Sequence, residues 1–386
     1  MTPQPPQTET QAPASTDAGI TIQAQNFAML LQYILNLPGK ASDLIFSPGR
    51  PPQVEVMGKL HPINVRGLEK LTPAHTSAIA KLILSGKPQA TDVLEQNGAT
   101  DVSYSAPGLA RFRVNIFKQR GSLAIVMRVI PVGIPRFEEL GVPEELRNIA
   151  DLKNGIVLVT GPTGSGKSTT LATIIDLINE KHSYHIVTIE DPIEFLHRHK
   201  ASTIHQRELH SDTPSFALAL RAALRQAPKV ILVGEMRDRE TAEAAMEAAE
   251  TGHLVLSTLH TIDASKTVER IIGIFPKSEE HIVRLRLSQA FRYIVSQRLL
   301  PRADRNGRVA AIEILKSTSR TREYIEKGET DGKSLIDAME QGDQEGMQSF
   351  DGVIERMIRE GVVEKDEALP YTTNQTNMLL RLADLM

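Results

Sequence analysis

The feature that most restricts the fold of this chain is the run GPTGSGKS at residues 161–168, which matches the spacing G-x-x-x-x-G-K-[ST]. An apolar segment, GIVLVTG (155–161), precedes it, and a helical pattern follows. Glycines at these positions let the backbone curl so that successive N–H groups face an anion, and the next helix adds its positive N-terminus. The run therefore predicts a strand–loop–helix unit that binds the phosphates of a nucleotide.

Two side chains of this predicted loop have distinct roles. Lys167 is expected to reach the β and γ phosphates, and the Ser168 hydroxyl is expected to ligate Mg²⁺. The other residues of the predicted nucleotide site are Gly161, Pro162, Thr163, Gly164, Ser165, Gly166 and Thr169. The glycine spacing differs from G-x-G-x-x-G, so the run is not a dinucleotide fingerprint.

The segments around the loop have the pattern of an α/β protein. Short buried strands are predicted at 155–161, 185–191, 229–235 and 254–261. Helices are predicted over roughly 166–180, 214–226 and 238–251. This alternation indicates βαβ units and a mainly parallel sheet, within a domain spanning 147–386. Beyond residue 264 the pattern predicts mostly helix, with one more strand at 308–315.

The first third of the chain predicts a smaller α+β domain over residues 22–130. Helices are predicted at 27–37 and 72–84, and extended runs at 43–47, 53–57, 110–117 and 123–129. The last two runs alternate polar and apolar residues, as half-buried antiparallel strands do. Residues 1–21, with four Pro and no Lys or Arg, are predicted to be a disordered leader. Residues 131–146, rich in Pro and Gly, are predicted to be a linker or hinge.

Composition argues against several functional classes. The chain has 44 Lys+Arg and 47 Asp+Glu, only 4% aromatic residues and no Trp, which disfavours a nucleic-acid translocase. Because there is no Cys, disulfides, thiolate zinc sites and a Cys nucleophile are excluded. No run approaches the roughly 18 apolar residues of a membrane span, and the N-terminus lacks the features of a secretory signal. The cytoplasm is therefore the expected location.

Polar residues end the other three predicted strands of the larger domain. Because the carboxyl ends of parallel strands meet at one sheet edge, Glu190, Glu235 and His260 are expected beside the phosphate-binding loop. Hydrolysis of a phosphoanhydride needs a carboxylate that orients or deprotonates water, and a metal that neutralises the phosphate oxygens. Glu235 fits the carboxylate. Since Gly234 stands where an Asp is usual, Glu190 is the candidate for binding Mg²⁺, directly or through water.

Less specific interpretations also remain open for these polar residues. Glu190 and Asp191 could simply cap a turn before Pro192. His260 could donate a hydrogen bond to the γ-phosphate, but a lone His is more often structural or exposed. Four further histidines could suggest a metal cluster, although a solvated loop is favoured because no ligand spacing is visible: His197, His199, His205 and His210.

Three strings together resemble one family. They are GPTGSGKSTT (161–170), TIEDPIEF (188–195) and LRQAPKVILVGEMRDRETAEAAMEAAETGHLVLSTLHT (224–261). The chain is similar, from about residue 25 to its end, to the secretion ATPase superfamily and within it to the type IV pilus retraction ATPases, the PilT/PilU family. The resemblance implies a homohexameric motor that hydrolyses ATP. Each subunit would have a PAS-like N-terminal domain and a RecA-like P-loop NTPase domain.

The same resemblance implies roles for single residues. Glu190 corresponds to the glutamate of the Asp box, and Glu235 to the catalytic glutamate of the Walker B segment. The His box supplies His253 and His260. The N-terminal domain of the family offers two arginines to the nucleotide, and these are expected to be Arg113 and Arg128, with Arg111 as the alternative. On the simpler interpretation, Arg113 and Arg128 are merely outward residues of edge strands.

The resemblance also implies partners. One partner is the cytoplasmic face of an inner-membrane pilus platform protein, so the subunit would be peripheral at the inner membrane. Whether a paralogous retraction ATPase is a second partner stays an open question. A pilus-assembly or type II secretion ATPase is the alternative, but those usually carry an extra N-terminal domain and often a four-cysteine zinc motif. A second alternative is a low-turnover accessory regulator of a paralogous motor. SRTREYIEKGE (319–329) replaces a helical motif of the PilT branch, so the choice between the PilT and PilU branches stays open.

Overall fold

The computed structural model describes residues 22–37, 41–56, 59–130 and 133–383. The chain divides into two compact units after Ile130. The predicted leader, 1–21, lies outside the described residues, as do residues 131–132 of the predicted linker.

The first unit is built on an antiparallel sheet. Its helices are α1 (Ala24–Leu35), α2 (Pro73–Leu84) and α3 (Pro88–Asn97). Its strands are β1 (Ala41–Phe46), β2 (Gln53–Val56), β3 (Lys59–Pro62), β4 (Ala99–Ala106), β5 (Ala110–Gln119) and β6 (Ser122–Ile130). They lie in the order β3-β2-β1-β6-β5-β4. The helices predicted at 27–37 and 72–84 are present, whereas α3, β3 and β4 were not predicted.

Local sequence explains several of these elements. Thr72 accepts a hydrogen bond from the His75 N–H, and Pro73 occupies the first helical position, so α2 begins there. Arg120 and Gly121 both have positive φ and form the two-residue turn between β5 and β6. Aromatic side chains from α1 and the sheet, including Phe27, pack in one buried core.

The second unit is built on a sheet that is parallel except at one edge. Its strands are β7 (Gly155–Thr160), β8 (His185–Glu190), β9 (Thr203–Glu208), β10 (Val230–Val233), β11 (Leu254–Leu259), β12 (Phe291–Pro301) and β13 (Arg308–Lys316). The order is β13-β12-β7-β11-β10-β8-β9, and only β13 pairs antiparallel. Every residue of β7 and β11 is buried, as expected for central strands covered on both faces. The predicted α/β class with a mainly parallel sheet is confirmed.

Helices cover both faces of this sheet. They are α4 (Lys167–Lys181), α5 (Phe216–Ala223), α6 (Arg239–Glu250), α7 (Ala264–Ile272), α8 (Glu280–Ala290), α9 (Ser319–Lys327), α10 (Leu335–Glu340), α11 (Phe350–Arg359), α12 (Lys365–Ala368) and α13 (Gln375–Arg381). Short 3-10 helices lie at Phe137–Leu140, Glu144–Asp151, Lys277–Glu279, Asp343–Glu345 and Leu369–Tyr371. Helix α4 packs in one core layer, and α5 to α8 contribute to another. Among the described helices, none is long and apolar enough to cross a bilayer.

The structure corrects the prediction for the region after residue 264. Residues 291–301 are not helical but form β12, which lies between β7 and β13. The segment EHIVRLRLSQAFRYIVSQRLL (280–300) carries apolar residues that suit a buried helix or a buried strand, and α8 passes into β12 without a loop. Within the predicted linker, 131–146, short 3-10 helices begin at Phe137 and Glu144, and Phe137 and Leu146 are buried in a core of the second unit. The hinge stays a prediction.

Candidate active site

The phosphate-binding loop runs from β7 to α4. Gly161, Gly164 and Gly166 have φ values of 141°, 79° and 91°, which favour glycine over any other residue. Gly166 is the N-cap of α4, so the first free N–H groups of that helix lie next to the loop. The predicted strand–loop–helix unit is therefore present.

Strand β12 supports this loop from behind. A Cβ atom on Gly166 would lie 2.8 Å from Gln297 Nε2, and one on Gly161 would overlap the Gln297 carbonyl oxygen. Thr170 Oγ1 donates a hydrogen bond of 2.9 Å to Gln297 Oε1, which joins α4 to β12. Sequence reasoning missed Gln297, because β12 itself was not predicted.

Lys167 is buried and already hydrogen-bonded within the loop. Its Nζ donates to the carbonyl oxygens of Gly161 at 2.9 Å and Pro162 at 3.0 Å. Burial lowers the pKa of Lys167, while the negative charges of Glu194 and Glu235 oppose that shift. A bound phosphate would therefore stabilise the positive charge of the buried Lys167.

Glu190 is the last residue of β8 and is buried. Its Oε1 accepts hydrogen bonds from Thr188 Oγ1 at 2.7 Å and Gln206 Nε2 at 3.1 Å. The Glu194 N–H approaches Oε2 at 3.4 Å. Burial raises the pKa of Glu190 despite these donors. Glu190 thus accepts hydrogen bonds from two side chains in addition to its contact with the turn at Glu194.

Gly234, which stands where an Asp is usual, lies close to the backbone at the end of β8. The Gly234 N–H donates to the Ile189 carbonyl at 2.8 Å, so β10 closely approaches the end of β8. A Cβ atom on Gly234 would lie 3.3 Å from the Ile189 oxygen and 3.4 Å from Glu190 Cα. A larger side chain would press on the backbone that carries Glu190.

Glu235 lies just beyond β10 and contacts two cationic or titratable side chains. Arg237 Nε is 2.6 Å from Glu235 Oε2, and His260 Nε2 is 3.7 Å from the same oxygen. Thr258 Oγ1 donates to the Gly234 carbonyl at 2.6 Å and so ties this corner to β11. Burial and the charge of Lys167 lower the pKa of His260, which favours the neutral ring.

The carboxyl ends of four neighbouring strands thus carry the predicted residues. β7 leads into Lys167, β8 ends at Glu190, β10 leads to Glu235 and β11 leads to His260. Because these strands are parallel neighbours, the four residues share one sheet edge. His253 does not, because it precedes β11 at the opposite edge, where its Nδ1 lies 2.9 Å from the Ala248 oxygen.

Comparison with known proteins identifies the family. The family described as type II/IV secretion system protein matches residues 83–369. The type IV pilus retraction ATPase PilT of Pseudomonas aeruginosa is 44% identical over 328 residues, which cover 85% of this chain and 93% of that protein. The chain belongs to this family, and within it to the type IV pilus retraction ATPases.

Two further relatives support this assignment. The type IV pilus ATPase PilU of P. aeruginosa is 38% identical over 356 residues, covering 92% of this chain and 91% of that protein. A crystal structure of the pilus retraction motor PilT with bound ADP superposes with a TM-score of 0.80 at 41% identity, covering 91% of this chain and 98% of that one. As a retraction ATPase of this family, the chain is a nucleotide-binding protein.

The oxygen atoms at the edge also fit Mg²⁺. Ser168, the second residue of α4, offers a hydroxyl, and Glu190 offers its Oε2. The Ser165 hydroxyl is buried and has no hydrogen-bond partner among the described residues, which fits a ligand group at the loop. Within the described ranges no group of three or more His, Asp or Glu is placed to hold a metal alone. Mg²⁺ usually takes few protein ligands beside phosphate oxygens and water, so this donor set suits it.

The predicted arginines lie in the first unit. Arg113 on β5 and Arg128 on β6 are directly opposite each other in the strand register. Arg113 is exposed, and the Arg128 side chain is 68% exposed while its Nε contacts Asp43 Oδ1 at 2.9 Å. Arg111, the alternative, is partly buried and donates to Ser105 Oγ at 3.2 Å. These positions are compatible with either interpretation of the arginines.

The histidines of the 197–210 region form no metal centre among the described residues. His205 is on β9 rather than in a loop, and its Nδ1 lies 2.9 Å from His185 Nε2. His199 Nδ1 accepts a hydrogen bond from the Ile204 N–H at 3.1 Å.

Proposed function

We propose that this retraction ATPase hydrolyses ATP in the presence of Mg²⁺, and that the reaction powers disassembly of a type IV pilus. The observation that carries the proposal is the single sheet edge on which Lys167, Glu190 and Glu235 meet. The 44% identity to PilT supports the biological role.

The residues of the edge divide the chemistry among them. Lys167 and the loop N–H groups bind the β and γ phosphates, and Glu235 orients the attacking water and accepts its proton. His260, kept neutral, donates a hydrogen bond to the γ-phosphate. Ser168 and Glu190 would hold Mg²⁺, which would neutralise charge on the phosphate oxygens.

We further propose that Arg113 and Arg128 stabilise the charge that develops on the γ-phosphoryl group. A guanidinium group offers a planar set of donors that matches phosphate oxygens. Hydrolysis would remove that contact, so the orientation of the first unit would follow the state of the nucleotide. The region 131–146 would be the hinge.

The proposed assembly is a homohexamer. It would act in the cytoplasm on the cytoplasmic face of an inner-membrane pilus platform protein, as a peripheral member of the pilus machine. Sequential hydrolysis around the ring would then turn or deform that platform.

A pair of variants tests the catalytic proposal. Purified wild-type protein at ring-forming concentration should show Mg²⁺-dependent phosphate release, and Glu235→Gln should lower it about a hundredfold or more because the base is removed. Glu247→Gln, on the exposed face of α6, is the matched control and should keep the wild-type rate. Equal rates for wild type and Glu235→Gln would contradict the assignment.

Deletion in the host tests the biological role. Cells that lose twitching but keep surface pili support retraction, whereas cells without pili indicate an assembly ATPase. The chain is also 38% identical to the type IV pilus ATPase PilU, so a second candidate is a low-turnover accessory regulator of a paralogous motor. In that case the purified protein would hydrolyse ATP slowly or not at all when alone.

A further inference from the structure

Strand β9 contributes a polar side chain to the candidate active site that no predicted motif contains. β8 and β9 are parallel neighbours, and Thr188 lies opposite Gln206 in their register. Since side chains alternate along a strand, Thr188 and Glu190 lie on the same face as Gln206. Three polar groups therefore meet near the end of β8.

The two carboxylate oxygens of Glu190 have different hydrogen-bond partners. Oε1 accepts from the Thr188 hydroxyl at 2.7 Å and from the Gln206 amide at 3.1 Å. Among the described parts of the chain, the hydrogen-bond contact of Oε2 is the long approach of the Glu194 N–H, at 3.4 Å. Two side-chain donors thus fix one oxygen and leave the lone pairs of the other largely available to a water or a cation.

The amide of Gln206 is also fully engaged on its other sides. Its Nε2 donates to the Phe195 carbonyl at 2.8 Å, and its Oε1 accepts from the His197 N–H at 2.9 Å. Gln206 thereby links Glu190 to the segment 193–197, which includes Glu194. A side chain held at three points has little freedom, so its donor to Glu190 is well oriented.

We infer that Gln206, together with Thr188, is a positioning residue that directs Glu190 Oε2 toward the nucleotide. The inference rests on the proposed function, because it assigns Glu190 a task in the hydrolysis of ATP. It specifies which oxygen of the carboxylate acts and which residues orient it.

The experiment measures kcat and KM for ATP in the full-length protein. Gln206→Met keeps the size but removes the amide, and should lower kcat about tenfold with KM for ATP within about twofold. Gln206→Glu should lower kcat further, because it places a second carboxylate beside Glu190.

Thr188 provides an independent pair of variants. Thr188→Val removes the hydroxyl and should behave like Gln206→Met, while Thr188→Ser keeps it and should have the wild-type kcat. Thr203→Val, at an exposed residue of β9, is the control for general disturbance of that strand. A kcat within about twofold of wild type in Gln206→Met would overturn the inference, as would equal effects of Thr203→Val.

The inference and the proposed function can fail separately. Absence of turnover in the wild type contradicts the proposed function and removes the role of Glu190 on which the inference rests. Normal turnover in the wild type with an unchanged kcat in Gln206→Met contradicts the inference alone.

Discussion

The two units of this chain present their functional side chains in opposite ways. At the parallel edge of the second unit, Glu190 and Lys167 are buried, and each makes at least two hydrogen bonds with neighbouring groups. On the antiparallel sheet of the first unit, Arg113 and Arg128 lie side by side and are exposed, and the Nε of Arg128 contacts the buried Asp43.

The difference shows which part of the site is complete by itself. Parallel topology brings the carboxylates and the phosphate-binding loop to one sheet edge within the second unit. Two like charges directly opposite on adjacent strands repel each other, so the arginine pair would be stabilised if a negative group bound beside it, as proposed. The first unit thus carries exposed positive side chains, whereas the second holds buried polar side chains in place through hydrogen bonds.

The largest effect should come from the second unit. Lys167→Ala removes the only side-chain charge predicted to contact the transferred phosphoryl group within the loop, and kcat/KM for ATP should fall about a hundredfold or more. Steady-state phosphate release measures it. Lys153→Ala, at the other end of the sheet, is the control and should hydrolyse ATP normally. Similar activity in both variants would show that the loop does not bind the nucleotide as proposed.

The next effect tests the first unit. Arg113→Ala should lower kcat by about ten- to a thousandfold while leaving the affinity for ATP nearly unchanged, because the guanidinium acts on charge that develops in the transition state. Arg113→Lys should recover little, since an ammonium group lacks the planar donor set. The control is Arg120→Ala in the β5–β6 turn. A change in KM alone would indicate that Arg113 only attracts nucleotide.

A third effect contrasts buried with exposed carboxylates through stability. Glu313 on β13 is fully buried, its Oε1 accepts from the Ala264 N–H at 2.8 Å, and burial raises its pKa to about 7. The folded state therefore keeps a proton that the unfolded state loses above about pH 4.5, and stability falls by about 3 kcal/mol as pH rises to about 7.

Glu313→Gln should remove that part of the decline, because an amide keeps an acceptor for the Ala264 N–H but does not ionise. Urea unfolding between about pH 5 and pH 8 measures it. Glu360→Gln, at an exposed carboxylate, should leave the slope unchanged. An unaltered slope in Glu313→Gln would mean that the buried carboxylate titrates at its ordinary pKa.

The smallest effect tests how tightly the edge is packed. Gly234→Ala places a methyl group against the backbone at Ile189 and Glu190 and should cost about 1 kcal/mol of unfolding free energy. Gly352→Ala, inside α11, should be neutral or slightly stabilising because alanine favours helix. If Gly234→Ala is as stable as wild type, crowding at this position does not explain the missing Asp.

Much of the second unit could be predicted because its signals are local. The loop motif fixes β7 and α4, and the apolar runs ending at Glu190, Glu235 and His260 each form a strand of the sheet. β12 could not be predicted, because an apolar segment that continues directly from α8 suits either a helix or a buried strand.

The residues that support the site were missed for the same reason. Gln297 and Gln206 are ordinary glutamines in sequence, and their roles depend on which strands become neighbours. Tertiary pairing decides that Gln297 lies behind the loop and that Gln206 lies beside Glu190. The arginines were identified only through family resemblance, since alternation along a strand gives the face but not the ligand.

Gln297 and its neighbour on β12 connect the phosphate-binding loop with the helices near the C-terminus. The next residue on the same strand, Arg298, stacks its guanidinium 3.8 Å from the Phe350 ring centroid at the start of α11 and donates to the Tyr371 carbonyl. One peptide bond therefore separates Gln297, which lies behind the phosphate-binding loop, from Arg298, which contacts Phe350 and Tyr371. A displacement of α11 would therefore reach the phosphate-binding loop through the backbone of β12.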